Sequence, residues 1–177
     1  MFRYNYLAVP KEEAMKPNIR MLFRLPHTKV EGNTEFDFTG RDFPGYTVEK
    51  PVLCNYTASE EAGAIRFFIR IDAKVSAVCA RCVEPVESEE CIEKEYRISE
   101  ADLSEEFPEL PFLPDGSLDL EEMVYGELIM EVPGALLCSS DCAGLCDQCG
   151  KPVAECDCEA EPEGDPRLQI LKQLLTD

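Results

Sequence analysis

The sequence predicts an α+β fold: a mainly antiparallel β-sheet, partly barrel-like, with one packed helix, a Cys-rich zinc-ribbon-like tail and a short C-terminal helix. Three observations predict it. Residues 65–79 alternate apolar and polar over the length of a long half-buried strand. The stretch after Asp119 places apolar residues at helical spacing. Six of the ten cysteines fall within the 21 residues from Cys138 to Cys158. A chain of 177 residues suffices for one compact core with a small appendage. We divide it into a β-rich domain over 1–135, a Cys-rich zinc-binding segment over 136–158, and an acidic linker with a C-terminal helix over 159–177.

Residues 19–25 (IRMLFRL) and 33–38 suggest short strands. Tyr46, Val48, Val52, Cys54 and Tyr56 share a parity and predict a longer one. In the next strand Ile65, Phe67, Ile69, Ile71, Ala73, Val75, Ala77 and Cys79 form one face. Arg66, Arg70, Asp72, Lys74 and Ser76 form the other, interrupted by Phe68 and Val78. This strand runs into Cys79-Ala-Arg-Cys82, and after Glu84-Pro85 the chain returns through Val86, Ile92, Tyr96 and Ile98. The pattern is a long hairpin with a Cys-x-x-Cys pair at its turn. Residues 99–117 are acidic, proline-bearing and aperiodic, a loop whose Phe107, Leu110, Phe112 and Leu113 should fold back over the sheet.

The packed helix is expected near 119–132. Asp119 can cap it, Glu122 can complete a capping box, and Leu120, Met123, Val124 and Leu128 fit one face. Pro133 ends it. Beyond the acidic stretch 159–165, Asp165 and Pro166 suit the start of a last helix, with Leu168, Leu171 and Leu175 along one side.

The net charge is −19, and it is unevenly spread: residues 84–131 hold seventeen acidic groups against two basic ones, whereas residues 1–30 are net basic. Such a surface repels a phosphate backbone at long range and suits a basic protein partner. Arg66, Arg70 and Lys74, joined by Arg81, form a basic line on the outer strand face. With Phe68 nearby this could be a small RNA-contact patch, the alternative being an ordinary solvated face. The first residues lack the apolar run of a signal peptide, and no 18-residue apolar stretch follows. The expectation is a cytoplasmic protein with no membrane association, whose thiols stay reduced.

Reduced, clustered thiols point to a metal. The chain has one histidine, His27, so a site in the tail must be built almost wholly of thiolates. Cys146-Asp-Gln-Cys149-Gly150 has the form of a zinc knuckle, in which two sulfurs converge on one ion and the glycine permits the tight turn. Zinc prefers four ligands in a tetrahedron, and three sets could complete the site. Cys138 and Cys142 precede the knuckle. Cys156 and Cys158 follow it, and their one-residue gap is taken to turn the sulfurs apart so that only one ligates. Cys79 and Cys82 form a distant pair. The favoured structural Zn2+ site is Cys142, Cys146, Cys149 and Cys158, with Cys138 as substitute and Cys79/Cys82 as an alternative half-site.

The Cys79/Cys82 pair also invites a thiol-redox reading, although a redox pair of the thioredoxin type sits between a strand and a helix start rather than at a hairpin turn. Cys54 and Cys91 stand apart and are expected to pack as small apolar side chains. A lone histidine and the absence of any Gly-x-Gly leave no catalytic triad or phosphate loop, so no enzymatic activity is expected.

Four features occur in order: VSAVCARCVEPV, LDLEEMVYGELIMEVP, CSSDCAGLCDQCG and GDPRLQILKQLL. With them, roughly residues 65–177 resemble the YceD-like family, the large ribosomal RNA subunit accumulation proteins; residues 1–45 resemble it only as a variable lead-in. The resemblance implies support for accumulation of the 23S ribosomal RNA through its synthesis, processing or stability. It implies no catalysis, and it carries over the cysteine cluster as a metal site. The function expected is a ribosome-biogenesis factor that binds a basic ribosomal or assembly protein and meets ribosomal RNA indirectly. The rival is a thiol-redox or zinc-responsive regulator.

Overall fold

The computed structural model describes residues 5–8, 15–25, 28–105 and 108–158; His27, Phe107 and the helix expected after Asp165 lie outside them. Five strands form one sheet in the linear order β1-β2-β3-β4-β5. They are β1 (Asn5–Ala8), β2 (Thr28–Phe36), β3 (Tyr46–Glu61), β4 (Ala64–Val78) and β5 (Pro85–Ile98). β1 pairs with β2 in parallel, and the other four strands are antiparallel. Among the described residues the sheet is open, with β1 and β5 as its edges, so the barrel-like closure expected from the sequence is corrected.

The β3–β4 hairpin closes through a two-residue turn, Ala62-Gly63, with φ of +53° and +81°. Those angles suit the right-handed twist of the flanking strands. Its register shifts between Glu49 and Leu53, where β3 gains two residues relative to β4. An insertion of two preserves side-chain parity, which is why Val48 and Cys54, on either side, still pair with Val75 and Ile71 of the inner face of β4. The β4–β5 ladder runs unbroken from Ile65↔Ile98 to Val78↔Pro85.

The inner face of β4 (Ile65, Phe67, Ile69, Ile71 and Val75) is fully buried. Burial of each such side chain contributes about 1.5–3 kcal/mol. Two helices cover it. Residues 19–25, expected as a strand, instead form helix α1 (Ile19–Arg24). Asn18 accepts a hydrogen bond from the Met21 amide, and Ile19 and Leu22, one helical turn apart, are buried. Three consecutive apolar residues, Met21-Leu22-Phe23, already broke the strand alternation.

Helix α2 (Leu120–Glu131) buries the expected residues, Leu120, Met123, Val124 and Leu128. Asp119 caps it by accepting from the Glu122 amide. The reciprocal half of the capping box does not form: the Asp119 amide donates to Pro111 O at 3.0 Å, and the Glu122 carboxylate pairs with Arg41. In the loop before it, Leu110 is buried and Phe112 packs against the core. No helix among the described residues is long and apolar enough to cross a membrane.

Candidate metal centres

The β4–β5 turn and the tail bring eight cysteines into two separate groups of four. In each group the sulfurs lie within 4.8 Å of one another. The first unites Cys79 and Cys82 of the turn with Cys138 and Cys142 of the tail. Cys79 Sγ is 3.8 Å from Cys142 Sγ, and Cys82 Sγ is 3.6 Å from Cys138 Sγ. The tail is laid against the turn by the Ala80 amide, which donates to Leu136 O at 2.9 Å, and by Arg81, whose Nη1 donates to Cys142 O at 2.9 Å. Cys79 and Cys82 are 1% and 5% exposed.

The second group is local: Cys146, Cys149, Cys156 and Cys158. Leu145 bridges to Pro152, and the Val153 amide donates to Gly144 O at 2.9 Å, closing the loop that carries the knuckle. A 3-10 turn over Val153–Glu155 then delivers Cys156 in extended backbone. Cys149 Sγ and Cys156 Sγ are 3.5 Å apart.

The two Cys-x-x-Cys turns share one backbone plan. In the second, the Gly150 amide donates to Cys146 O (2.8 Å) and the Cys146 amide to Lys151 O (2.7 Å). In the first, the Val83 amide donates to Cys79 O (3.0 Å) and the Cys79 amide to Glu84 O (2.7 Å). The residue after the second cysteine has positive φ in both, +71° at Gly150 and +67° at Val83. The hairpin turn is therefore a second knuckle, with valine in the left-handed position where glycine is the ordinary choice.

These groups fit a tetrahedral thiophilic ion. With Zn–S near 2.3 Å, the edge of a ZnS4 tetrahedron is about 3.8 Å, close to the sulfur separations here and far from the roughly 2 Å of a disulfide. All ten cysteines are free thiols. Backbone N–H groups of Cys82, Cys138 and Arg81 hold the Cys79 thiol down at about 6, and those of Cys149 and Gln148 hold Cys146 at about 7. Two sulfurs are thus ready as thiolates near neutrality. Their crowded neighbours go the other way. Cys138, beside Cys142 and Cys82, and Cys158, beside Cys156 and Cys149, are pushed up to about 12. Four thiolates in so small a space need a cation among them. Each group could hold one metal ion, and an all-sulfur donor set suits zinc or iron rather than magnesium or calcium.

Comparison with known proteins adds the lineage. The sequence profile of the family described as large ribosomal RNA subunit accumulation protein YceD matches residues 68–175, more than half of the chain. The chain belongs to the YceD family. Uncharacterized proteins of Mycobacterium bovis and Mycobacterium tuberculosis are each 33% identical over 101 residues, covering 55% of this chain and 49% of theirs. An uncharacterized protein of Mycobacterium leprae is 30% identical over 84 residues, covering 45% of this chain and 39% of its own. The chain thus spans about half the length, or less, of the curated relatives it matches. No solved structure matches it.

In this YceD-family chain the set favoured from sequence is divided. Cys142 lies with Cys79, Cys82 and Cys138; Cys146, Cys149 and Cys158 lie with Cys156. Cys138 is a member of the first group beside Cys142 rather than a substitute for it. Cys156 and Cys158 converge because extended backbone puts residues i and i+2 on the same side, contrary to the expectation that their gap would separate them. Cys54 is buried as expected, and burial pushes its thiol up to about 12. Cys91 is exposed on the outer face opposite Asp72, not packed in the core.

The basic line is also altered. Arg66 pairs with Glu95 (2.7 Å), Arg70 with Glu93 (3.0 Å) and Asp72 (3.1 Å), and Lys74 with Glu89 (3.1 Å). Arg81 belongs to the first sulfur group instead.

Proposed function

We propose that the protein is a non-enzymatic ribosome-biogenesis factor. It supports accumulation of large-subunit 23S ribosomal RNA by binding a basic ribosomal or assembly protein in the cytoplasm, with structural Zn2+ holding its tail. Family membership supports the process. The observation that carries the choice of partner is the outer sheet face, where Arg66, Arg70 and Lys74 are each engaged by carboxylates of β4 or β5. A phosphate arriving there would have to displace those carboxylates, whereas β5 itself carries five glutamates against Lys94 and Arg97. Such a surface recruits cations and repels polyanions.

The thiol-redox reading is weaker on access. A redox pair needs its attacking sulfur within reach of a partner disulfide, and Cys79 is 1% exposed beneath the tail. Its low position is equally that of a metal-ready thiolate.

The test is recovery of partners on the full chain in near-physiological salt, with and without nuclease. Basic ribosomal or assembly proteins retained after nuclease treatment are the expected result. RNA recovered without any protein intermediary, and lost on charge reversal of Arg66, Arg70 and Lys74, would replace the reading with direct RNA binding.

A further inference from the structure

The two sulfur groups share no residue, and they differ in burial and in how the chain holds them. We infer that the protein binds two divalent ions per chain in tetrathiolate centres of unequal lability: the centre of Cys79, Cys82, Cys138 and Cys142 is a slowly exchanging clamp between the β4–β5 turn and the tail, and the centre of Cys146, Cys149, Cys156 and Cys158 is the exchanging one. This rests on the reading that the thiolates hold zinc.

Three observations separate the centres. The first is access. In the first group Cys79 and Cys82 are buried, Cys142 is half-buried and Cys138 alone is exposed, whereas the second group has no buried member: Cys149 and Cys158 are exposed and Cys146 and Cys156 only half-buried. A chelator removes an ion by associating with its ligand shell, so the open centre loses its ion sooner.

The second is support. The first knuckle ends two strands whose ladder is continuous from Ile65↔Ile98 to Val78↔Pro85, and the tail is fixed to it by the Ala80–Leu136 and Arg81–Cys142 hydrogen bonds. Among the described residues, the backbone hydrogen bonds around the second knuckle all run within 144–156. Ligands oriented by a rigid outer shell hold an ion more tightly, typically by about 10–100-fold.

The third is span. The first centre joins cysteines 56 and 63 positions apart, so its ligands come from two segments that the Ala80–Leu136 and Arg81–Cys142 hydrogen bonds already hold together, and the ion is one of several ties between tail and turn. The second encloses only its own loop, and its ligands can detach singly without moving the sheet.

Elemental analysis of the full chain purified without chelator should give two zinc ions and eight protected thiols. A chromogenic zinc chelator should then release them in two phases of equal amplitude, at least about tenfold apart in rate. The paired variant C146S/C149S should keep one ion and the slow phase; C138S/C142S should keep one ion and the fast phase. Should the latter fail to fold, Co2+ loading of the unaltered chain decides. Thiolate-to-cobalt absorbance should saturate at two equivalents, and half of it should vanish first under chelator. A single ion per chain overturns the two-centre assignment, and two ions leaving in one phase overturn their inequality. No bound metal at all would refute the zinc reading, and this inference with it.

Discussion

Val83 is the residue at which this chain departs from its own rule. At Gly150 the left-handed backbone after a Cys-x-x-Cys turn carries no Cβ, whereas at Val83 the same angle carries a β-branched side chain. Left-handed backbone costs an L-residue about 1–2 kcal/mol, and branching at Cβ makes it rarer still. The Val83 side chain is 60% exposed, so little packing offsets that cost. Val83→Gly should therefore stabilise the zinc-loaded protein. The gain is about 0.5–1 kcal/mol after subtracting the extra freedom glycine gives the unfolded chain. The check is the urea midpoint by circular dichroism; a fall in midpoint would mean that Val83 makes a stabilising contact. The same residue explains why the tail pair was legible in the sequence as a knuckle and the hairpin pair only as a turn and an alternative half-site. The glycine after Cys149 announces a tight turn, and a valine after Cys82 does not.

At the scale of elements, alternation reads true wherever one face is buried. β4 was legible in full because its odd residues lie under two helices, and β3 stayed legible through its irregular stretch because an insertion of two keeps parity. The distant pair Cys79/Cys82 was legible as an alternative half-site, but which tail cysteines it meets was hidden, because that is decided by tertiary packing, not spacing. α1 was hidden because six residues offer too few turns for a helical period to emerge. One interior contact between β2 and β3 yields two opposed predictions. Gly32 faces Tyr56, and a Cβ on it would come 2.3–2.5 Å from that ring, which is stacked on Phe67 at 5.5 Å. Gly32→Ala must displace a buried ring and should cost about 1–3 kcal/mol. The Tyr56 hydroxyl is buried without a hydrogen-bond partner among the described residues. A buried unsatisfied hydroxyl costs about 1–3 kcal/mol, so Tyr56→Phe should raise stability by about 1 kcal/mol. Thermal unfolding of the two variants reads both; a destabilised Tyr56→Phe would show that the hydroxyl has a stabilising partner, a buried water being one candidate.

For the whole molecule, the question is whether attraction or repulsion among surface charges dominates. The ion pairs of the outer face are exposed, and such pairs are typically worth about 0–1 kcal/mol each. Against them stands a net charge of −19, concentrated in residues 84–131. The two effects have different ranges. Ion-pair partners touch, so salt screens them little, whereas the excess carboxylates repel one another across the molecule. A chain of this length has a radius of gyration of about 16 Å. The screening length is about 30 Å at 0.01 M salt and about 8 Å at 0.15 M, so the long-range repulsion is felt fully in the first condition and mostly lost in the second. Repulsion should therefore govern. With zinc saturating, raising NaCl from 0.01 to 0.15 M should increase the melting temperature by roughly 2–4 °C, the shift about 1 kcal/mol produces at this size. Binding to a basic partner should weaken over the same interval, because the field that destabilises the free protein is the one that draws the partner in. A melting temperature that falls with salt would show that the carboxylate–cation pairs outweigh the excess charge, and would remove the electrostatic basis for a basic partner.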